Sequence, residues 1–311
     1  MKIRTESSIE INKSTDVVYK IVSDLRQWNT WSPWIHCEPT TKTELTGQPQ
    51  ETNQVQTWNG EVIGSGKMSV IGVEKNKSVS MSLEFFKPFT STATVQFTID
   101  AQSPMTCSMS WVVDSNLPFF MFFFKKMMIA YMNNDLARGL RMLKEYAETG
   151  TVVSESIYQG EKTLTAFQLI GKRTSCKIAD LSTTMQNDFR GLNNYMNLLP
   201  KPNGAMAIYH KFDIPNGDCE YTAGVSFAAD KDITAPSGLS TEKYPEHKGL
   251  VVDYYGPYRN LGNPWGMMMS YQRGKKKKLI KDYPMYEKYL TLPDGRPENE
   301  IHTQIIAPIK N

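Results

Sequence analysis

A chain of 311 residues, at roughly 100–200 per domain, implies about two domains, and a hydrophobic share of 40% is enough for a core in each. The 35 lysines and arginines nearly balance the 32 aspartates and glutamates, and a formal charge of +3 argues against a dedicated nucleic-acid binder. The opening segment MKIRTESSIEINKS lacks the apolar core of a secretory signal, and the longest apolar block, LPFFMFFF at Leu117–Phe124, is far short of the ~20 residues a membrane helix needs, so a cytoplasmic protein without a membrane partner is expected.

In chain order, Ser14 and Asp16 offer caps to a helix whose apolar face is Val18, Ile21, Val22 and Leu25, spaced i, i+3, i+4, i+7. Trp28, Trp31 and Trp34 follow at three-residue spacing and read as a well-filled loop rather than a cavity mouth. From Val55 to Val113 the runs KMSVIGVE, KSVSMSLEF, ATVQFTID and CSMSWVVD alternate or are β-branched, which predicts an antiparallel sheet. Phe119–Phe124 then reads as a buried helix start or cavity wall. Lys125–Glu148 predicts a long helix with a stripe of Met128, Met132, Leu136, Leu140, Leu143 and Ala147, whose apolar face should lie on that sheet.

The period breaks over Gly150–Gly160, so domains are expected at 1–149 and 160–311. The second begins with a strand at Leu164–Gly171 and a helix at Ala179–Leu199, striped by Leu181, Met185, Phe189, Leu192, Met196 and Leu199. Two strands, MAIYHKFDI and CEYTAGVSFAAD, flank a turn at Pro215–Gly217. The same order returns as a strand at Gly249–Tyr255, a helix at Asn263–Leu279 and strands at Pro284–Leu290 and Ile301–Ile309, which suggests an internal duplication and an α+β fold class. Lys275–Lys278 reads as a solvated helix end, where cations suit the dipole.

Several chemistries lack their motifs. Gly64-Ser65-Gly66-Lys67 has Glu61 where a phosphate loop needs its first glycine, and Met68 where it needs a hydroxyl. His36, His210, His247 and His302 are dispersed, and Cys37, Cys107, Cys176 and Cys219 form no C-x-x-C pair, so reduced thiols, no metal and no cofactor are expected.

Two stretches resemble known families. Residues Ser8–Trp34, the Gly64–Met68 strand entry and G-L-R-M-L-K-E at Gly139–Glu145 resemble the START-like superfamily, also called SRPBCC or polyketide cyclase-like. That resemblance implies a helix-grip domain, a curved antiparallel sheet around a long C-terminal helix with an apolar cavity between them. Tyr254-Tyr255-Gly256-Pro257-Tyr258 with Leu261 and Trp265, then Tyr286-Glu287-Lys288-Tyr289-Leu290, and Thr303–Ile309 resemble the GyrI-like family, an effector-binding module also attached to AraC-type transcription regulators. This resemblance implies two strand-helix-strand-strand units and an aromatic-lined pocket with a buried glutamate. Three departures stand out: Gln304 replaces the acidic residue common before the final strand, four lysines follow the helix, and Pro264 interrupts a usually continuous early helix, which Asn263 as N-cap and Pro264 at the first helical position would accommodate.

Strand alternation places Met285, Glu287 and Tyr289 on one face. A glutamate there is either an outward group on an amphipathic strand or a pocket charge, and the resemblance favours the pocket. Trp265, Tyr258, Tyr221 and Tyr289 are then the candidate aromatic walls, able to attract a ligand cation. The expected function is binding or sensing of an amphipathic small molecule, hydrophobic or cationic. The alternative is a GyrI-like hydrolase of reactive electrophiles that uses Glu287, and a third reading is an inhibitory protein-binding module. Any transcriptional role would need a protein partner, because no DNA-binding motif is present.

Overall fold

The computed structural model describes residues 2–116, 119–231 and 233–310, the side chains of 119–121 excepted. The chain divides into two compact units between Val152 and Val153. No described helix is long and apolar enough to cross a membrane.

The first unit contains β1 (Lys2–Ile11), α1 (Thr15–Val22), α2 (Trp28–Trp31), β2 (Lys42–Thr46), β3 (Val55–Asn59), β4 (Ser65–Glu74), β5 (Ser78–Lys87), β6 (Ser91–Ser103), β7 (Thr106–Asn116) and α3 (Lys125–Thr149). Its described strands form one antiparallel seven-stranded sheet in the order β1-β7-β6-β5-β4-β3-β2. The alternating runs fold as their period requires: Val79, Met81 and Leu83 of β5 and Val95, Phe97 and Ile99 of β6 all point into one core. Leu136, Leu140 and Leu143 of α3 enter that core from the helix side, with Met132 and Ala147 partly buried against it, so the predicted stripe lies on the sheet. Ser14 sits at the N-cap of α1 but its side chain makes no capping hydrogen bond.

The tryptophan series packs inward. Trp28, Trp31 and Trp34 surround Trp111 of β7, with ring centroids 5.5, 5.6 and 5.7 Å from it, and Phe97 adds a contact at 5.1 Å. Gly139 lets α3 approach this cluster, since a Cβ there would stand 2.7 Å from the Trp111 ring. The stripe also hides an unexpected charge: Arg138 is buried, donating 2.9 Å to the Pro33 carbonyl and 3.0 Å to Asp135.

The aromatic block departs from its expected burial. Leu117 and Pro118 lie outside the described residues, but Phe122, Phe123 and Phe124 are 56%, 90% and 52% exposed. The block forms a 3-10 turn at Phe119–Phe124 ahead of α3, so it does not share the phase that turns the later stripe inward.

Glu38, buried in the first unit, accepts three backbone N–H groups, from Glu61 at 2.6 Å, Val62 at 2.9 Å and Ile63 at 3.0 Å, and so pins the loop before β4. Glutamine at this position turns an NH2 group toward one of those donors. We expect Glu38→Gln to cost about 1–3 kcal/mol, read as a lower urea midpoint, and an unchanged midpoint would contradict the role.

The second unit contains β8 (Glu155–Leu164), β9 (Phe167–Lys177), α4 (Leu181–Leu192), β10 (Gly204–Asp213), β11 (Asp218–Ala228), β12 (Ser240–Tyr244), β13 (His247–Tyr255), α5 (Gly262–Gly274), β14 (Tyr286–Tyr289) and β15 (His302–Pro308). The predicted order returns twice, as β9-α4-β10-β11 and β13-α5-β14-β15. All eight described strands pair in the order β12-β9-β11-β10-β14-β15-β13-β8. Part of the segment expected to link the domains is a strand, β8, whose ladder with β13 shifts register between Val251 and Val252, opposite Gly160 and Tyr158. That bulge interrupts the alternation by which a strand is recognised. The second helix starts at Gly262 with Leu261 as N-cap, so Asn263 lies inside the first turn and Pro264 spends its missing N–H where no helical partner exists.

β8 is one edge of this sheet and β9 stands next to the other edge, yet only Thr165 and Ala166 join them. The sheet therefore rolls round on itself. Leu164, Phe167, Leu169, Met206, Ile208, Tyr244, Val251, Tyr286 and Ile306 form its interior core. The opposite face of the same strands, with Ala207, Tyr221, Ala223 and Tyr289, receives Met185, Leu181 and Phe189 of α4.

Candidate functional site

Glu287 lies on the helix-covered face of β14, paired in register with Ala207 of β10 and Ile305 of β15. The alternation of β10 puts Ala205, Ala207 and Tyr209 on the same face, two small residues that leave room for large ones above them. Into that room come Met185 and Phe189 from α4 and Trp265 from α5.

The carboxylate is 1% exposed. Its Oε1 accepts 2.6 Å from the Trp265 indole N–H, and its Oε2 accepts 2.5 Å from the Tyr289 hydroxyl. The Tyr209 hydroxyl is a further partner. Among the described residues every one of these donors is neutral. Removing an ionised carboxylate from water costs several kcal/mol, and hydrogen bonds to a charged group return about 1.5–3 kcal/mol each, so neutral donors offset part of the cost without a counter-charge. The balance leaves the Glu287 carboxyl above the usual range: burial raises it, and the Tyr289, Trp265 and Tyr209 hydrogen bonds oppose that only in part. A protonated Glu287 is also accommodated, because the Tyr289 hydroxyl can turn to Met185 Sδ, 3.4 Å away, and accept from the carboxyl.

A second buried carboxylate on the same side shows what a cation does. Asp188 of α4 accepts 2.7 Å from the Tyr221 hydroxyl and pairs at 2.6 Å with Lys172. Burial would raise it, but Lys172 and Tyr221 outweigh that and hold it below the usual range. The two carboxylates move in opposite directions because Glu287 is the more deeply desolvated and has neutral donors alone, whereas Asp188 also has a lysine.

The residues expected around Glu287 are placed as follows. Trp265 and Tyr289 touch the carboxylate directly, Trp265 through its N–H edge. Tyr258 packs 5.6 Å from the Tyr289 ring, and burial, followed by the charge of Glu287, pushes its hydroxyl up to about 12. Tyr221 belongs to the same apolar cluster but turns its hydroxyl to Asp188. Tyr209, which sequence reasoning missed, stacks edge-on against Trp265 at 5.2 Å. Its signal was the small-small-aromatic alternation of β10; the pairing that carries it to Glu287 joins strands far apart in the chain. Gln304 donates 3.0 Å to Asp253.

The Tyr-Tyr-Gly-Pro-Tyr segment positions this aromatic wall. The Tyr254 hydroxyl passes over Gly256 to donate 2.9 Å to the Pro257 carbonyl, and a Cβ on Gly256 would stand 2.4 Å from that hydroxyl oxygen. The chain can then turn at Tyr258–Asn260 into α5. No group of three or more His, Cys, Asp or Glu side chains among the described residues is arranged to hold a metal. An open cleft of about 360 Å3 exists in the unit, lined by Phe167, Tyr244 and Tyr283, but it does not include Glu287. The buried carboxylate without a cation is the stronger chemical signal, because an uncompensated charge is costly and a cleft alone is not.

Residues 2–148 match the family model described as polyketide cyclase / dehydrase and lipid transport. Residues 161–310 match the model described as GyrI-like small molecule binding domain. No curated protein matches the chain. Among solved structures it is similar to SAV2435 bound to tetraphenylphosphonium, with 17% identity over 50% of this chain and 94% of that one and a TM-score of 0.40. Similarity to the Zhui aromatase/cyclase from Streptomyces sp. R1128 is 12% over 48% of this chain and 94% of that one, with a TM-score of 0.38. For the EcmrR–DNA complex the figures are 16%, 62% and 73%, with a TM-score of 0.41.

Proposed function

We propose that this chain, a polyketide cyclase-like domain followed by a GyrI-like small molecule binding domain, recognises an amphipathic or cationic organic molecule through its second domain, with Glu287 as the counter-charge. The observation that supports this reading is the buried carboxylate held by neutral donors alone. A ligand cation supplies the charge that Lys172 supplies to Asp188, and the rings of Trp265, Tyr258, Tyr289 and Tyr209 give it apolar walls. Closure of Glu287 means that a ligand reaches it by displacing an aromatic side chain, which selects for molecules with enough apolar surface to replace that contact. A hydrolase would use the same carboxylate to activate water; both of its oxygens already accept hydrogen bonds, which favours binding over base catalysis.

Native mass spectrometry of the full chain tests this. Tetraphenylphosphonium, a permanent aromatic cation, should form a one-to-one complex, and neutral triphenylphosphine oxide should bind at least about tenfold more weakly. Equal occupancy by both, or by neither at millimolar ligand, would contradict the proposal.

A further inference from the structure

Lys288 follows Glu287 on β14 and by alternation points to the opposite face, into the interior of the rolled sheet. Its ammonium lies 5.8 Å from the Tyr286 ring centroid and 6.0 Å from that of Phe167. Its environment is aromatic: Phe167 and Tyr244 stack at 4.7 Å, Tyr286 meets both edge-on, and Tyr283 leans on Tyr244 at 5.2 Å. Among the described residues no carboxylate pairs with Lys288, and burial pulls its ammonium below the usual lysine range. The His247 imidazole at this end is engaged by the Pro245 carbonyl and the Tyr286 hydroxyl, and burial keeps it toward the neutral form.

This interior is open at one end. The cleft of about 360 Å3 sits where β9 begins and β12 ends, with Phe167, Tyr244 and Tyr283 as its aromatic wall. Phe167 is shared between the cleft and the Lys288 ammonium. The feature has the parts of an anion site: an aromatic wall beside a partly desolvated cation with which no carboxylate pairs among the described residues.

We propose that this cleft is a second ligand site, separate from Glu287, that takes a small planar aromatic carboxylate, its ring against Phe167, Tyr244 and Tyr283 and its anion toward Lys288. The two neighbours on β14 thereby serve opposite faces and opposite charges. The proposal does not rest on the reading of Glu287.

The test is calorimetric titration of the full chain with 2-naphthoate and its neutral isostere 2-naphthamide. Naphthoate should bind at least about tenfold tighter than naphthamide, the scale of one charge-assisted hydrogen bond. Lys288→Met should remove that preference, and Tyr283→Ala, on a surface loop, should weaken both ligands several-fold. Glu287→Gln should leave both unchanged, which separates this site from the other face. Equal affinities in the wild-type chain, no naphthoate binding at millimolar concentration, or undiminished naphthoate binding by Lys288→Met would overturn the proposal. Loss of naphthoate binding on Glu287→Gln would do so as well, by moving the ligand to the other face.

Discussion

Trp111→Ala is expected to cost about 3–5 kcal/mol, the range for truncating a large buried aromatic side chain. Trp111 is fully buried and touches Trp28, Trp31, Trp34 and Phe97, and α3 closes over it at Gly139. Those neighbours come from α2 and the turn after it, from β6 and from α3, so none can refill the space without moving a strand or a helix. A loss of this size approaches the whole stability of a small domain, about 5–15 kcal/mol. We propose that the two domains fold independently. Urea unfolding followed by circular dichroism should then show a first-domain transition displaced to much lower denaturant and a second left in place. A loss below about 1 kcal/mol would mean that the cluster is not the centre of the first core.

Glu287→Gln should act in two directions. It keeps the shape of the side chain and removes the anion, so affinity for tetraphenylphosphonium should fall by about 1.5–3 kcal/mol, at least tenfold, while triphenylphosphine oxide is little affected. Stability should rise. The folded-state pKa of Glu287 lies above its ordinary 4.5, so the native state binds the proton more tightly than the unfolded chain does. Wild-type stability therefore declines as pH rises from 4.5 through the raised value, and the full penalty is present above it. The glutamine variant lacks that decline, so its advantage should be largest above the raised value and vanish below the ordinary one. Chemical denaturation across this interval reads the difference directly, and parallel curves for the two proteins would contradict the assignment. Were the site hydrolytic instead, the same substitution would abolish turnover and leave binding of a neutral substrate nearly intact.

Much of this was legible in the sequence, for reasons that can be named. β5, β6 and β7 and the stripe of α3 each bury one face against a single neighbour, so their periods survive in the residue order. The phase of β14 placed Glu287 and Tyr289 together, and resemblance pointed to Trp265 and Tyr258. What escaped depends on contacts between distant segments. Tyr209 reaches Glu287 only because Ala207 pairs with it across β10 and β14. Asp188 carries a charge on the buried side of α4, where the stripe shows only Met185, Phe189 and their apolar neighbours, and its burial rests on Lys172 and Tyr221. Arg138 is hidden on α3 for the same reason, its partners lying at Asp135 and Pro33. β8 was concealed by its bulge, and the exposed phenylalanines by an aromatic composition that mimics a core.

If Glu287 is the charge that meets the ligand, as proposed, then binding of a cation is linked to the Glu287 proton. Around the site, burial and the neighbouring carboxylates push the Tyr209, Tyr258 and Tyr289 hydroxyls upward and the Cys219 thiol to about 12, while Lys172 holds Asp188 low. Glu287 is the carboxyl there that burial raises, and tetraphenylphosphonium carries no proton of its own. Calorimetry in buffers of different ionisation enthalpy, from about pH 5 to about pH 8, should show proton release on binding and an affinity that climbs until Glu287 is fully ionised, with neither effect in Glu287→Gln. Binding that is independent of pH and equal in the two proteins would contradict the account.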